Sequence, residues 1–235
     1  MRKRFPRLWR HLAARLDPAE VLGLHLSAGV LALVLAAWLF GLIASEVVAQ
    51  AAITRLDLRL ADWFHQFAAS PFTPLVIAFT NWHHPIGVGL MAAALGAWLA
   101  RQRERYWLLA LALAVPGGLL LNVLLKYTFQ RARPSFETPL VSLASFSFPS
   151  GHTSGATVLY GVLATWLVCR TSSASARAAI VVGAVTMVVL VALSRLYLGV
   201  HYLSDVLAGM AVGCAWLAVC VTAVSTLRRH RARGP

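Results

Sequence analysis

Long apolar runs follow one another along most of this 235-residue chain, and they constrain its fold more than any other feature. A transmembrane α-helix needs about 20 consecutive, predominantly apolar residues. Hydrophobic residues make up 59% of the chain and charged residues 12%, whereas a soluble domain carries about half and about a quarter respectively. The near-continuous runs leave no room for a separate soluble domain, and their hydrophobicity excludes a disordered chain. The sequence therefore predicts an all-α, polytopic integral membrane protein.

We predict six transmembrane helices in a single membrane-embedded domain, residues 1–235, with short cytoplasmic tails at about residues 1–16 and 228–235. Asp17 and Pro18 favour a helix start before the first run. That run is too long for the apolar core of a cleaved signal peptide, so it is interpreted as an anchor. Polar residues interrupt the second run before Pro85. The predicted spans are about 21–48, within 72–100, and about 106–125, 153–169, 178–196 and 203–226.

A segment of different character follows the first span, at about residues 51–69. Apolar residues recur there at steps of three and four, with charged residues and a histidine between them. The apolar set is Ile53, Leu56, Leu60, Trp63, Phe64 and Phe67, and the polar set is Arg55, Asp57, Arg59, Asp62 and His65. The pattern predicts an amphipathic helix in the membrane interface. A plain connecting helix fits the same pattern equally well.

The net charge of +13 is distributed in a way that indicates membrane orientation. Basic residues cluster in short segments between apolar runs, which argues against a nucleic-acid partner. With six spans, fifteen of the 21 lysines and arginines fall on the side of the two termini. Because basic loops stay in the cytoplasm, we expect cytoplasmic termini, with the loops after the first, third and fifth spans facing outward.

Three polar clusters fall in these outward loops, so we expect them at one face of the membrane. The first runs from Lys126 to Arg133-Pro134, directly after the third span. The second is Pro149-Ser150-Gly151-His152, directly before the fourth. The third joins the fifth and sixth spans and contains Ser194-Arg195, His201 and Asp205.

The residue types in these clusters suit phosphate. Lys126, Arg133 and Arg195 supply three positive charges, two of them planar forks that match phosphate oxygens. Ser150 and Gly151 begin a helix, where free backbone N–H groups and the helix dipole favour an anion.

The clusters also contain a nucleophile and an acid. His201 and Asp205 are four residues apart, so on a helix they share a face, and Asp205 can hold one imidazole nitrogen while the other attacks. His152 is then available as a general acid. Taken singly, these groups are typical of interfacial anchors, a helix cap and a structural hydrogen bond. Together, in this order and on one face, they predict a phosphoryl-transfer site.

The motifs K-x6-R-P, P-S-G-H and S-R-x5-H-x3-D resemble the three signatures of the type-2 phosphatidic acid phosphatase family of membrane lipid phosphatases, which are related to the vanadium haloperoxidases. The resemblance implies that His201 forms a phosphohistidine, that Asp205 orients it, and that His152 protonates the departing oxygen and later activates water. It implies that the phosphate is held by Lys126, Arg133, Ser150, Gly151 and Arg195. It also implies that neither a metal nor another cofactor is needed.

The resemblance further implies hydrolysis of a lipid phosphate or diphosphate at the outer face of the cytoplasmic membrane. Undecaprenyl diphosphate is the first expectation, on the family's usual roles rather than on any residue. Phosphatidylglycerophosphate, phosphatidate and lipid A phosphates follow. A lipid phosphotransferase would share every motif. A non-catalytic lipid-anion transporter is the alternative from another class, and the sequence does not indicate the oligomeric state.

Other candidate residues carry weaker signals. His83 and His84 resemble a metal pair, but adjacent helical residues diverge and Pro85 breaks the helix, which favours a polar lining near the lipid headgroups. Glu137 is expected to face water, with a place in the substrate pocket as the alternative. The three cysteines lie in apolar runs without metal-ligand spacing.

Overall fold

The computed structural model describes residues 23–67, 71–141 and 143–232, and within them the chain forms helices and connecting segments without a β-strand. This confirms the all-α prediction. The predicted helix start at Asp17 and Pro18 and the whole predicted N-terminal tail, about residues 1–16, lie outside these ranges. The helices are α1 (Leu24–Val48), α2 (Ala52–His65), α3 (Thr73–Asn81), α4 (Pro85–Arg101), α5 (Arg105–Phe129), α6 (Gly151–Arg170), α7 (Ala174–Tyr197) and α8 (Leu203–Ala232).

In the described part of the chain, four helices are long and apolar enough to cross a membrane, namely α1, α5, α7 and α8. The second predicted span is divided into α3 and α4 by a turn, and α4 is apolar but only 17 residues long. Helix α6 has 20 residues, and its first turns contain the polar residues Thr153, Ser154 and Thr157. The number of spans therefore remains a prediction.

Helix α8 lies at the centre of the bundle, where it packs against α1, α5 and α6. Two glycines allow the close approach of α6, as their four-residue spacing predicts. A Cβ atom on Gly209 would lie 2.6 Å from the carbonyl oxygen of Ser150, and one on Gly213 would lie 2.7 Å from the Cβ of Thr157. This contact brings the start of α6 against the first turns of α8.

The polar clusters lie at one end of the bundle because successive helices run in opposite directions. The end of α5 lies beside the start of α6, since a Cβ on Gly151 would be 4.0 Å from the Cε of Lys126. The start of α6 meets the first turn of α8, where the Ser150 N–H donates to the Asp205 carbonyl oxygen at 2.9 Å. At the opposite end, Arg170 of α6 pairs with Glu104, which precedes α5.

Helix α2 packs against α1, α7 and α8, and the structure corrects one of its predicted faces. The pattern places Asp57 in the polar set of the helix with Arg55 and Arg59, but Asp57 is 1% exposed, whereas both arginines are exposed. Asp57 is buried because its carboxylate is fully hydrogen-bonded inside the protein, as described below. The location of α2 in the membrane interface remains a prediction.

Candidate active site

His201 and Asp205 form the centre of the site. His201 lies in the turn between α7 and α8, since α8 begins only at Leu203. This agrees with the predicted start of the sixth span at about residue 203; the shared helix face that the four-residue spacing suggested does not form, because only Asp205 lies on the helix. Their contact forms nevertheless: His201 Nδ1 lies 3.3 Å from Asp205 Oδ2. Both residues are buried, with 2% and 0% exposure.

The neighbours of His201 define its tautomer. Arg133 Nη1 lies 3.2 Å from His201 Nε2, and a guanidinium can only donate. Nε2 therefore accepts, and the ring proton is on Nδ1, from which it is donated to Asp205. Burial lowers the pKa of His201 to about 3, and this outweighs the raising effect of Asp205. The imidazole is thus neutral at neutral pH, with the Nε2 lone pair directed toward Arg133.

Arg133 and Lys126 are held by uncharged acceptors. Arg133 donates from Nε to the Ser145 carbonyl oxygen at 2.7 Å and from Nη1 to the Val200 carbonyl oxygen at 2.6 Å. Lys126 Nζ donates to the carbonyl oxygens of Phe146 and Ser147. Burial lowers the pKa of Arg133 from its usual value. Because carbonyl oxygens fix these groups without neutralising them, both positive charges remain available to an anion.

Arg195, in the last turn of α7, is 2% exposed. Its Nη1 donates to Thr80 Oγ1 of α3 at 2.8 Å, while its buried Nε has no hydrogen-bond partner among the described residues. A buried guanidinium with an unused donor is typical of an anion site. Sequence reasoning missed Thr80, for which the only signal is the polar interruption that follows it.

The start of α6 supplies backbone donors. Ser150 is at the N-cap position, but its side chain makes no capping hydrogen bond; its Oγ instead accepts from Thr153 Oγ1 at 3.1 Å. The first N–H groups of the helix thus lack a side-chain acceptor, which suits an anion. Gly151 has no room for a side chain, since a Cβ would lie 2.9 Å from Asn122 Oδ1.

His152 borders the same site. It follows Gly151 in the first turn of α6, and its ring meets that of His84 edge-on, with centroids 5.8 Å apart. His84 precedes α4 and is exposed, whereas His83 is buried against Tyr160, whose hydroxyl lies 2.9 Å from its Nε2. The adjacent histidines therefore diverge, as predicted. No cluster of three or more His, Cys, Asp or Glu side chains suited to a metal occurs in the described ranges.

Sequence reasoning missed several residues around Asp205. The Ser147 hydroxyl and the Tyr202 N–H both donate to Asp205 Oδ2. Arg131 Nη1 donates to Asp205 Oδ1 at 2.7 Å, and its Nη2 donates to Asp57 Oδ2 at 2.8 Å. Arg131 lies inside the first motif, two residues before Arg133, and this position was the only sequence signal for it.

An aromatic cluster positions the segment that carries Ser147. Phe148 is completely buried, with its ring centroid 5.8 Å from that of Phe40 in α1 and 5.0 Å from that of Phe129 in α5. The Ser147 N–H also donates to the Arg131 carbonyl oxygen at 2.8 Å. The long α5–α6 connection is therefore fixed where it meets the site.

The eight residues predicted from the three motifs lie in one cluster. Its centre is a neutral imidazole backed by a buried carboxylate, with three cations and a helix start around it, and a second histidine at the edge. Such an arrangement can bind a phosphoryl group and transfer it to nitrogen.

The sequence model of the PAP2 superfamily matches residues 105–229, more than half of the 235-residue chain. Phosphatidylglycerophosphatase B of Bacillus subtilis is 41% identical over 120 residues, which cover 51% of this chain and 59% of that protein. The chain thus spans less than two thirds of that relative. Decaprenylphosphoryl-5-phosphoribose phosphatase of Mycobacterium tuberculosis is 35% identical over 153 residues, covering 64% of this chain and 78% of that protein.

Two solved structures are similar. The transmembrane PAP2-type phosphatidylglycerolphosphate phosphatase from Bacillus subtilis has a TM-score of 0.74 and 27% identity, with 86% of this chain and 98% of that chain covered. LpxE from Aquifex aeolicus has a TM-score of 0.55 and 23% identity, with 71% and 94% covered, and this likeness concerns the fold alone.

Proposed function

The chain belongs to the PAP2 superfamily, and on this premise we propose that it is a membrane phosphatase. Its substrate is a lipid phosphate or diphosphate, with undecaprenyl diphosphate as the first candidate. The observation that carries the proposal is the state of His201: its Nε2 lone pair faces Arg133, while Asp205 holds the proton on Nδ1. Recognition of an anion needs the cations but not this nucleophile pair, which argues against a transporter that only binds lipid anions.

In the first half-reaction the substrate phosphate displaces the Arg133 contact from Nε2. Lys126, Arg133, Arg195 and the first N–H groups of α6 hold its oxygens. Nε2 attacks phosphorus, the bond from phosphorus to the lipid oxygen breaks, and His152 donates a proton to that oxygen. Asp205 stabilises the positive charge that develops on the imidazole.

In the second half-reaction a water molecule attacks the phosphohistidine. His152, now neutral, takes a proton from the water, the Nε2–phosphorus bond breaks, and inorganic phosphate leaves with His201 neutral again. The three cations stabilise the charge on the phosphoryl oxygens in both halves, which is the expected role of preorganised donors. A binding role for Ser150 and Gly151 follows from their place at the helix start.

We also propose the membrane arrangement. Helices α1, α5, α6, α7 and α8 each cross once, α3 and α4 together form the second span, and α2 lies in the interface. The polar end of the bundle then faces outward from the cytoplasmic membrane, since most basic residues flank the opposite end. Lipid headgroups lie at the depth of the site in this arrangement.

Other substrates remain in the proposal as alternatives. The names of the relatives favour phosphatidylglycerophosphate and decaprenylphosphoryl-5-phosphoribose. Phosphatidate and lipid A phosphates come next, on the usual roles of the family. A phosphotransferase would form the same phosphohistidine and pass the phosphoryl group to a second lipid in place of water.

The test is release of inorganic phosphate by purified protein in detergent, with excess chelator and each of these lipids in turn. The His201→Ala variant removes the nucleophile, and His230→Ala, an exposed histidine near the far end of α8, is the matched control. We expect release by the wild type and by His230→Ala only. Rapid quenching with a substrate labelled at the reacting phosphorus should give acid-labile label on the wild-type protein.

Equal release by the wild type and His201→Ala would refute His201 as the nucleophile. Label on the protein without phosphate release, followed by transfer to an added acceptor lipid, would identify a phosphotransferase instead.

A further inference from the structure

We propose that Asp57 is a positioning residue for this site: through Arg131 it fixes Asp205 and preserves the negative charge with which Asp205 supports His201. The inference rests on the proposed phosphoryl transfer to His201. It concerns a residue of α2, outside all three motifs and 74 positions before Arg131.

Arg131 bridges two buried carboxylates. Its Nη1 lies 2.7 Å from Asp205 Oδ1 and its Nη2 lies 2.8 Å from Asp57 Oδ2, while both carboxylate side chains have 0% exposure. Ser204 joins the same network. It accepts from Arg131 Nη1 at 2.6 Å and donates its own hydroxyl to Asp57, and its N–H donates to Asp57 Oδ1 at 2.9 Å. The Tyr202 ring covers the guanidinium, with a centroid distance of 4.4 Å.

Within the described ranges, the hydrogen bonds of Asp57 all go to Arg131 or Ser204. Its carboxylate is therefore bonded only to the network around Asp205. A buried ion pair is a poor way to gain stability, because desolvation of both charges offsets their attraction. Other charged residues of α2, including Arg55 and Asp62, are exposed. A buried carboxylate at this one position of the helix points to a role in the site.

The hydrogen bonds of Asp205 show why Arg131 must be held in place. Oδ2 accepts from Ser147, from the Tyr202 N–H and from His201 Nδ1. Oδ1 accepts its hydrogen bond from Arg131. If the guanidinium moved, Oδ1 would be left buried without a donor, which is costly, and the carboxylate would be free to rotate away from His201.

Asp57 also affects the charge of the site. Asp57 and Arg131 form a neutral pair, so Asp205 keeps a full negative charge to offset the positive charge that develops on His201 during attack. With a neutral residue at position 57, Arg131 would instead neutralise Asp205. Both carboxylates act on the guanidinium: although burial acts to lower it, the pKa of Arg131 is raised, most strongly by Asp205 and also by Asp57.

The decisive variants change the charge at position 57 with little change in size. For Asp57→Asn we expect kcat to fall about tenfold or more, since hydrogen bonds to charged groups contribute about 1.5–3 kcal/mol. Inhibition by inorganic phosphate should stay within about twofold, because Lys126, Arg133 and Arg195 are intact and Asp57 is not among the groups that hold the phosphate. Asp62→Asn, an exposed change of the same kind on the same helix, should behave like the wild type.

A double variant separates charge from packing. Adding Arg131→Gln to Asp57→Asn removes both charges of the neutral pair and so restores the negative charge of Asp205. We expect it to recover part of the kcat lost in Asp57→Asn. If Asp57→Asn does not fold, the double variant is compared with Arg131→Gln instead. The kcat of the double variant should then be closer to the wild-type kcat than the kcat of Arg131→Gln is.

A measurement without turnover keeps the two proposals apart. The Nδ1–H proton of His201 should resonate at low field in the wild type, because it is donated to a charged carboxylate, and should move upfield in Asp57→Asn. This shift would support the inference even if no lipid were hydrolysed. Wild-type kcat and an unchanged resonance in Asp57→Asn would overturn it, as would a double variant no better than either single one.

Discussion

The two neighbours of His201 divide its ring into a donor side and an acceptor side. Arg133 requires Nε2 to accept, Asp205 takes the Nδ1 proton, and burial holds the ring neutral. Histidine is normally the side chain that titrates in the physiological range, so a neutral ring here depends on its surroundings. The neutral state of the ring affects both the proposed attack on phosphorus and the stability of the folded protein.

We predict that His201 stays unprotonated down to pH 5. Burial lowers its pKa to about 3, while in the unfolded chain the ring titrates near its ordinary pKa of about 6.5. Below pH 6.5 the unfolded chain therefore takes up a proton that the folded protein does not. The stability contributed by the neutral ring is complete above pH 6.5 and is lost as the pH falls toward 3.

Nitrogen-15 spectra of histidine-labelled protein, with the His201 signal assigned by its loss in His201→Gln, measure the protonation directly. Thermal unfolding in detergent measures the stability, and the wild type should lose more of it than His201→Gln between pH 7 and pH 5. A His201 signal that titrates between pH 6 and 7 would contradict the prediction.

Individual residues also show the limit of sequence reasoning at this site. Lys126, Arg133, His152, His201 and Asp205 could be predicted because each belongs to a short motif beside a helix end. Residues from other parts of the chain that hold these five side chains in place could not be predicted. Asp57 lies between exposed arginines on an amphipathic helix, so its local pattern indicated water. Thr80 and Ser147 carry no local signal, because their roles come from partners 115 and 58 positions away.

Among the helices, the contact between α6 and α8 determines the geometry of the site. Gly209 lets the α6 start lie against α8, and the same contact includes the hydrogen bond from the Ser150 N–H to the Asp205 carbonyl oxygen. The close approach could be predicted from the glycine spacing, but its partner could not. The division of the second span between α3 and α4 was visible as a polar interruption before Pro85.

We predict that Gly209→Ala impairs both stability and activity. The new methyl group would lie 2.6 Å from the Ser150 carbonyl oxygen, and because that atom belongs to the backbone the start of α6 must move. Overpacking of this kind costs about 1–3 kcal/mol, and the displaced helix start should lower kcat at least about tenfold, since small misplacements of catalytic groups are costly. Phosphate release and thermal unfolding measure the two effects.

Gly183→Ala is the matched control, because a Cβ at position 183 of α7 meets nothing within 4 Å. It should leave both measurements unchanged. Full activity in Gly209→Ala would mean that the position of α6 does not limit the chemistry.

For the molecule as a whole, the four helices α5 to α8 place all three motifs at one end of the bundle. The sequence predicts this convergence, because the first motif follows the third span, the second precedes the fourth, and the third joins the fifth and sixth spans. All three therefore fall in loops on the same side of the membrane. The side of the membrane on which the motifs lie is predicted from the basic residues, and the whole basic N-terminal tail lies outside the described residues. The orientation of the protein in the membrane therefore needs a separate experiment.

We predict that Glu137→Cys reacts with a membrane-impermeant maleimide in intact cells, whereas Ser172→Cys reacts only after permeabilisation. Both positions are exposed and lie in loops at opposite ends of α6. The background is the chain with its three native cysteines replaced by alanine. The reverse labelling pattern would place the site in the cytoplasm and refute the proposed orientation.

Arg133 also closes a ring in the long α5–α6 connection. It donates from Nε to the Ser145 carbonyl oxygen and from Nη2 to Ser145 Oγ and the Phe146 carbonyl oxygen, so one side chain joins the two ends of the intervening segment. Residues 137–139 at its middle are exposed. Because the ends are fastened, extra length there costs little chain entropy and does not pull on the groups proposed to bind phosphate. This is where the protein can acquire a longer loop, or carry an inserted tag, without rebuilding the proposed catalytic centre.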